Sequence, residues 1–269
     1  VVARFDAERQ ALALMDHPGI ARVYDGGAAP DGRPFFAMEL VRGAPITAYC
    51  DRHRLPVRAR LELFADVCQA VQHAHQKGVI HRDLKPGNIL VAEVDGRPAP
   101  KVIDFGVAKA TERRLTDLTL PDLGAIVGTP AYMSPEQADP SAGGVDTRTD
   151  VYALGVVLYE LLAGVLPIDS QRLKRATILE ALRLVRESDP PPPSTKLSAA
   201  DGRGLVAANR GTGPAELVRA LRGELDWVVM KALEKDRERR YDSAGALARD
   251  VRRYLADEPV EARPPTRWY

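Results

Sequence analysis

Eight residues, His81-Arg82-Asp83-Leu84-Lys85-Pro86-Gly87-Asn88, followed sixteen positions later by Asp104-Phe105-Gly106, carry the densest chemistry in the chain. Asp83 supplies a carboxylate that can align a hydroxyl and take its proton late. Lys85, two residues on, can reach a transferring phosphate. Asn88 offers a neutral oxygen and Asp104 a charged one, the hard donors that magnesium favours alongside phosphate oxygens and water. Phosphoryl transfer asks a protein for alignment and charge stabilisation more than for covalent chemistry, and these types at this spacing match that need. A single Asp or Asn on a loop is normally a turn or cap residue; the joint spacing is what sets this stretch apart. Gly106 allows a sharp backbone turn after the candidate metal ligand.

The elements around this stretch must hold it. Residues 57–77 are expected to form a long helix with Leu61, Phe64, Ala65, Cys68 and Val71 on one face. Ile89–Val91 and Lys101–Ile103 read as short strands around the turn Asp95-Gly96-Arg97-Pro98. Residues 150–164 read as a helix apolar nearly all round, hence buried; its charged Glu160 and short length argue against a membrane span. Upstream, residues 3–15 read as a helix ended by His17-Pro18-Gly19, where His17 packs or caps. Ile20–Tyr24 and Pro34–Val41 read as two strands whose turn runs from Gly26 to Gly32. The glycine spacing in that turn does not fit a phosphate cradle, and no helix follows it. Downstream, helices are expected over 172–187, 215–234 and 243–256. Pro190–Pro193 with Ser194 reads as a polyproline-like spacer, 195–213 as a mobile Gly- and Ala-rich insertion, and Glu258–Tyr269 as an extended Pro-rich end.

The composition sets outer bounds. The 269 residues have a net charge of +1, 45% hydrophobic and 28% charged residues, and two cysteines. That balance provides no basic field for nucleic acid. Cys50 and Cys68 read as reduced packing thiols. The five histidines form no zinc-like arrangement with Cys or Asp, which argues against a metal hydrolase.

On the motifs quoted above, and on Gly128-Thr129-Pro130-Ala131-Tyr132-Met133-Ser134-Pro135-Glu136-Gln137, the chain resembles the eukaryotic-type protein kinase family. It resembles the Ser/Thr class, bacterial receptor-type branch, from Glu8 to about Leu255. The resemblance implies an α+β, bilobal kinase-like fold. A small partial upper lobe (1–42) would hold one helix, two or more antiparallel strands and the hinge. A mainly helical lower lobe (43–256) would follow, with an insertion at about 188–213 and a Pro-rich linker over 257–269.

The resemblance also implies roles. Asp83 would be the catalytic base, Lys85 the phosphate contact, and Asn88 and Asp104 the ligands of Mg²⁺ (or Mn²⁺) beside ATP. Glu8 would be the glutamate of the upper-lobe helix. Met38 would be the gatekeeper before a hinge at Glu39 and Val41 whose backbone meets adenine, with Leu90 beneath it. Leu12, Val23, His81 and Phe105 match the stacked apolar spine. Asp150 would hold the catalytic-loop backbone, and Glu136 and Arg240 would form the buried pair tying the activation segment to the lower lobe. Arg82 would receive a regulatory phosphate on Thr111, Thr116 or Thr119, while Thr129 would face the substrate. The implied partner is a protein with a Ser/Thr acceptor, not nucleic acid; self-association for phosphorylation in trans stays open.

The chain departs from the family pattern in one respect. No Gly-x-Gly-x-x-Gly occurs, and no lysine precedes Lys77. The expectation is a truncated kinase domain, impaired as written, binding Mg-ATP poorly; the alternatives are a pseudokinase and a kinase-fold scaffold or binding module. A small-molecule phosphotransferase fits less well, because Glu136, Arg240 and the long segment before them build a platform for a polypeptide. The expected location is cytoplasmic, with a membrane-anchored full-length product implied by the resemblance.

Overall fold

A computed structural model describes residues 15–29, 34–105, 130–139 and 144–263. Strands β1 (Val23–Ala28) and β2 (Pro34–Met38) pair antiparallel, with a bulge between Val23 and Asp25. Gly26 and Gly27 lie inside β1, opposite Phe36 and Phe35, so the turn begins later than their glycine character suggests. Ladder hydrogen bonds and the facing aromatic pair outweigh the loop preference of glycine here.

A second sheet has the order β3-β4-β5, with β3 at Ala44–Pro45, β4 at Ile89–Val94 and β5 at Arg97–Val102. The β4–β5 turn is Asp95-Gly96, both with positive φ (51° and 72°). That is the geometry a two-residue hairpin prefers, since its twist matches that of the flanking strands. Ile89, Val91 and Val102 point into the core, and Leu90 lies on the other face. One parallel bridge, Ile20 to Val102, joins the segment before β1 to β5.

The rest is helical. α1 (Ile46–Arg52) leads into α2 (Val57–Gln76), on which Leu61, Phe64, Ala65, Cys68 and Val71 are all buried, as the periodicity predicts. α3 (Thr147–Ala163) runs through the centre, apolar on every side. Asp146 caps its start by accepting from Arg148 N, and Gly164 ends it in the left-handed region (φ 69°). Gly155 lets the helix ending at Ala232 cross closely: a Cβ there would lie 2.8 Å from Ala232 Cβ.

The expected helix over 172–187 is two helices, α4 (Ser170–Arg175) and α5 (Ile178–Glu187). Thr177 accepts from Glu180 N and starts the second. The stretch 195–213 is packed rather than loose. α6 (Pro193–Ala199) and α7 (Arg203–Ala208) occupy it, with Leu197 and Ala207 fully buried. Pro193 serves as a helix start, a position where its missing N–H costs nothing.

α8 (Pro214–Leu221) and α9 (Glu224–Ala232) are separated at Gly223, whose φ is 100°. α10 (Ala244–Leu255) packs along α2. The described residues after it, up to 263, are tied to α10. Buried Asp250 accepts from Glu261 N and Ala262 N as well as from Tyr241 Oη, and Val260 is buried.

Cys50 and Cys68 are both free and buried. Burial raises the Cys50 thiol to about 11 and pushes Cys68 up further, which keeps both unreactive. Among the described residues no helix is long and apolar enough to cross a membrane.

Candidate active site

The His81–Asn88 loop lies between α2 and β4 and is pinned from below by α3. Asp150, in the first turn of α3, is wholly buried. Its carboxylate accepts from His81 N (2.8 Å), Arg82 N (2.8 Å) and the His75 imidazole Nε2 (2.7 Å). Burial alone would push the Asp150 carboxyl up; His75 and the loop N–H groups outweigh it and hold the carboxyl low. A carboxylate saturated this way fixes the loop backbone. Arg82 takes a φ of 69°, unusual for a residue with a side chain.

His81 completes the frame. Its Nδ1 accepts from Asp83 N (3.3 Å), so Nε2 is the protonated nitrogen and donates to Ile103 O (2.9 Å). Burial pushes its pKa down, more than nearby Asp150 pushes it up, and keeps the ring neutral. The ring packs against Phe105 at 4.7 Å between centroids. Val23 packs against the hydrophobic core that includes Phe105; Leu12 is outside the described residues.

Held by this frame, three polar side chains meet. Lys85 Nζ donates to Asp83 Oδ2 at 2.6 Å, and Asn88 Nδ2 donates to the same oxygen at 3.1 Å and to Asp83 O at 2.8 Å. The short 3₁₀ turn Pro86–Asn88 makes this convergence possible over five residues. Ile103 N donates to Asn88 O (2.9 Å), which sets Asp104 beside the loop. Asp104 has a φ of 59° and an exposed side chain.

The donor set suits a hard divalent cation. With its amide nitrogen committed to Asp83, Asn88 has its amide oxygen left to offer, and the Asp104 carboxylate is open.

The hinge candidates fall at the end of β2. Met38 pairs with Val23, and Glu39 N donates to Arg22 O (2.8 Å). The Glu39 carboxylate binds Lys101 Nζ at 2.5 and 2.7 Å. Its hydrogen bond to Lys101 holds its carboxyl low. Leu40 is 78% exposed, and Val41 O accepts from Gly43 N. Leu90 is half-buried on the sheet face away from the core.

The Glu136–Arg240 pair is bidentate, at 2.7 and 2.8 Å, with side-chain exposures of 7% and 0%. Thr149 Oγ1 also donates to Glu136, and Arg240 donates to the carbonyls of Glu234, Arg148 and Lys235. Burial pushes the Glu136 carboxyl up, but Arg240 overrides it and holds the carboxyl at about 2. One residue on, Gln137 Nε2 donates to Arg82 O (2.7 Å), joining this platform to the loop. Arg82 Nε is buried and has no acceptor among the described residues. Glu8, Gly106, Thr111, Thr116, Thr119 and Thr129 lie outside the described residues.

Several members of the site are not apparent from the sequence. His75 reads there as a helix histidine of no account, Gln137 only as the end of the Gly128–Gln137 motif and Lys101 as a strand lysine. Each acts across a separation of 55 to 75 positions. His17 does cap, its Nδ1 accepting from Gly19 N.

The protein kinase domain family matches residues 3–250. Serine/threonine-protein kinase Pkn1 of Myxococcus xanthus is 37% identical over 260 residues, 96% of this chain and 32% of that protein. Serine/threonine-protein kinase PknB of Mycobacterium tuberculosis is 39% identical over 264 residues, 96% of this chain and 37% of that protein. The chain thus spans about a third of the length of these curated relatives. The crystal structure of a double mutant of the Mycobacterium tuberculosis PknI kinase domain superposes with a TM-score of 0.64 at 25% identity, covering 94% of this chain and 79% of that one. With the catalytic-loop geometry and a family match over nearly its whole length, the chain belongs to the protein kinase domain family.

Proposed function

We propose that the chain is the catalytic domain of a serine/threonine protein kinase, moving the γ-phosphoryl group of ATP to a Ser or Thr hydroxyl of a protein. The observation that carries this reading is the meeting of Lys85 and Asn88 on one oxygen of Asp83, next to Asp104. Asp83 orients the acceptor hydroxyl and takes its proton. Lys85, already against Asp83, is placed to neutralise the phosphoryl oxygens as they approach. Asn88 and Asp104 hold Mg²⁺, or Mn²⁺ in its place; the ion, when bound, offsets charge on the nucleotide phosphates. The backbone at Glu39 and Val41 meets adenine, with Leu90 beneath it. Asp150, Glu136 and Arg240 position the loop and the acceptor platform without touching substrate, and Thr129 faces the acceptor.

The buried Arg82 Nε, which has no acceptor among the described residues, supports a regulatory reading of the same loop. A phosphate on Thr111, Thr116 or Thr119 would supply that acceptor. We place the kinase domain in the cytoplasm, in a full-length product anchored to the membrane.

No glycine-rich phosphate loop and no lysine before Lys77 occur within these 269 residues, so phosphoryl transfer by the chain as written is expected to be impaired. The test therefore uses the full-length gene product. Its transfer of phosphate from ATP to a protein acceptor should fall by about 10²–10⁴-fold in Asp83→Asn, with unchanged thermal stability. Activity that survives this substitution would overturn the assignment of the base.

A further inference from the structure

Two neighbouring residues of β5 connect the β3-β4-β5 sheet to the β1–β2 hairpin and the segment leading into it. Val102 does so through its backbone: its N donates to Gly19 O (2.8 Å) and its O accepts from Ala21 N (2.9 Å). Lys101 does so through its side chain, whose Nζ lies 2.5 and 2.7 Å from the two carboxylate oxygens of Glu39, just past the end of β2. The Glu39 carboxylate is itself aimed. Its Oε2 also accepts from Arg22 N (3.2 Å), while Glu39 N donates to Arg22 O (2.8 Å).

The place of this contact gives it meaning. Lys101 is the register partner of Leu90 across β4 and β5, and cross-strand partners share a face. Lys101 therefore stands beside Leu90, on the face away from the core, and three residues before Asp104. At the other end of the hinge, Gly43 lies so close to β4 that a Cβ there would come 2.6 Å from Val91 O. Residues 39–43 are thus held against the β4–β5 hairpin at both ends, with Leu40 between them 78% exposed.

Building on the nucleotide site proposed above, we infer that Lys101 and Glu39 are positioning residues for the nucleotide: their ion pair sets the span between the hinge backbone that meets adenine and the Asp104 carboxylate that holds the metal. One ligand must satisfy both ends at once. The apolar contact with Leu90 tolerates a small slide of the base, whereas Mg²⁺ demands near-ideal coordination. A hinge free to drift from β5 satisfies one end at the expense of the other, and a misplacement of about 1 Å can cost 10²-fold in such arrangements. Folding stability is not the main effect. The two side chains are 20% and 27% exposed, and an ion pair so placed adds little to it.

The test is calorimetric titration of the full-length gene product with ATP at millimolar Mg²⁺, and separately with adenosine, which reaches the hinge and Leu90 but not the metal. Lys101→Met should weaken Mg-ATP binding about tenfold and adenosine binding by less than about threefold. Its melting temperature should move by no more than about 4 °C. Lys101→Arg, which keeps a cation within reach, should recover most of the loss. Glu39→Gln, which leaves the hinge backbone in place, should match Lys101→Met, and the double variant should be no worse than either alone. Undiminished Mg-ATP affinity in a folded Lys101→Met, or additive losses in the double variant, overturns the pair. Equal losses for adenosine and Mg-ATP overturn the span and leave a local effect on the hinge. Absence of saturable Mg-ATP binding by the wild-type protein overturns the nucleotide site itself, and the positioning role with it.

Discussion

Arg240→Met isolates a buried, bidentate ion pair. The substitution keeps a similar apolar stem and removes the only cation bonded to the buried Glu136 carboxylate among the described residues. Leaving one member of a buried pair stranded costs about 3–5 kcal/mol, here compounded by the carbonyls of Glu234, Arg148 and Lys235 losing their donor. The pH dependence gives a sharper signature. Glu136 is held at about 2 in the folded chain against 4.5 for the free group. At pH 7 that difference is equivalent to about 3 kcal/mol of stability. Because the folded value is depressed, this stability is present in full above the unfolded value and is lost as pH falls toward the folded one. Between pH 7 and 3.5 about 1–2 kcal/mol should go. In Arg240→Met, burial, the largest influence on Glu136, is opposed by the hydrogen bonds from Thr149 and the backbone but no longer by a cation, so the carboxyl is expected above its free value and the sign reverses: lowering the pH protonates Glu136 and relieves the folded state. Urea unfolding followed by tryptophan fluorescence, at pH 7 and 3.5, measures both proteins. The gap between them should narrow by at least about 1 kcal/mol at the lower pH. A gap of several kcal/mol that does not change with pH would show that the lost packing matters and the ion pair does not.

Two further substitutions probe the frame. Gly155→Ala sets a methyl group against Ala232 Cβ at 2.8 Å and should destabilise the chain by about 1–3 kcal/mol through overpacking of α3 on α9, read from the urea midpoint. Arg210→Met removes a buried guanidinium that donates to Glu160 O, Leu161 O and Leu162 O at the end of α3; Glu160 O keeps Gly164 N and Leu161 O keeps Arg60, so Leu162 O is the carbonyl left short, which should cost about 1–3 kcal/mol and increase amide exchange in α7.

The catalytic loop was legible because its chemistry is compressed. Asp83, Lys85 and Asn88 lie within six residues, and a short turn suffices to bring them together. α2 and α3 were legible for a similar reason: apolar spacing over several turns has one economical solution, burial. The errors fall where a local preference meets a distant partner. Gly26 and Gly27 look like a turn and are strand, because Phe35 and Phe36 stand opposite. The Ala- and Gly-rich stretch over 195–213 looks loose and is packed. Buried Arg210 fixes it to the end of α3, some 48 positions earlier in sequence. Asp250 binds Glu261 N and Ala262 N, contacts the Pro-rich composition there does not announce.

By itself, then, the order of residues determined the local vocabulary of this protein: which groups could accept a proton, bind a cation or start a helix, since these depend on neighbours within one or two turns. Only the tertiary structure decided that His75 and Asp150 would support the loop, that Gln137 would grip Arg82, and that Lys101 would reach Glu39. The physical reason is that a buried hydrogen bond or charge contact depends on which donor and acceptor are brought within about 3 Å. Across 50 or more intervening residues, that choice belongs to the packing of α3 against its neighbours.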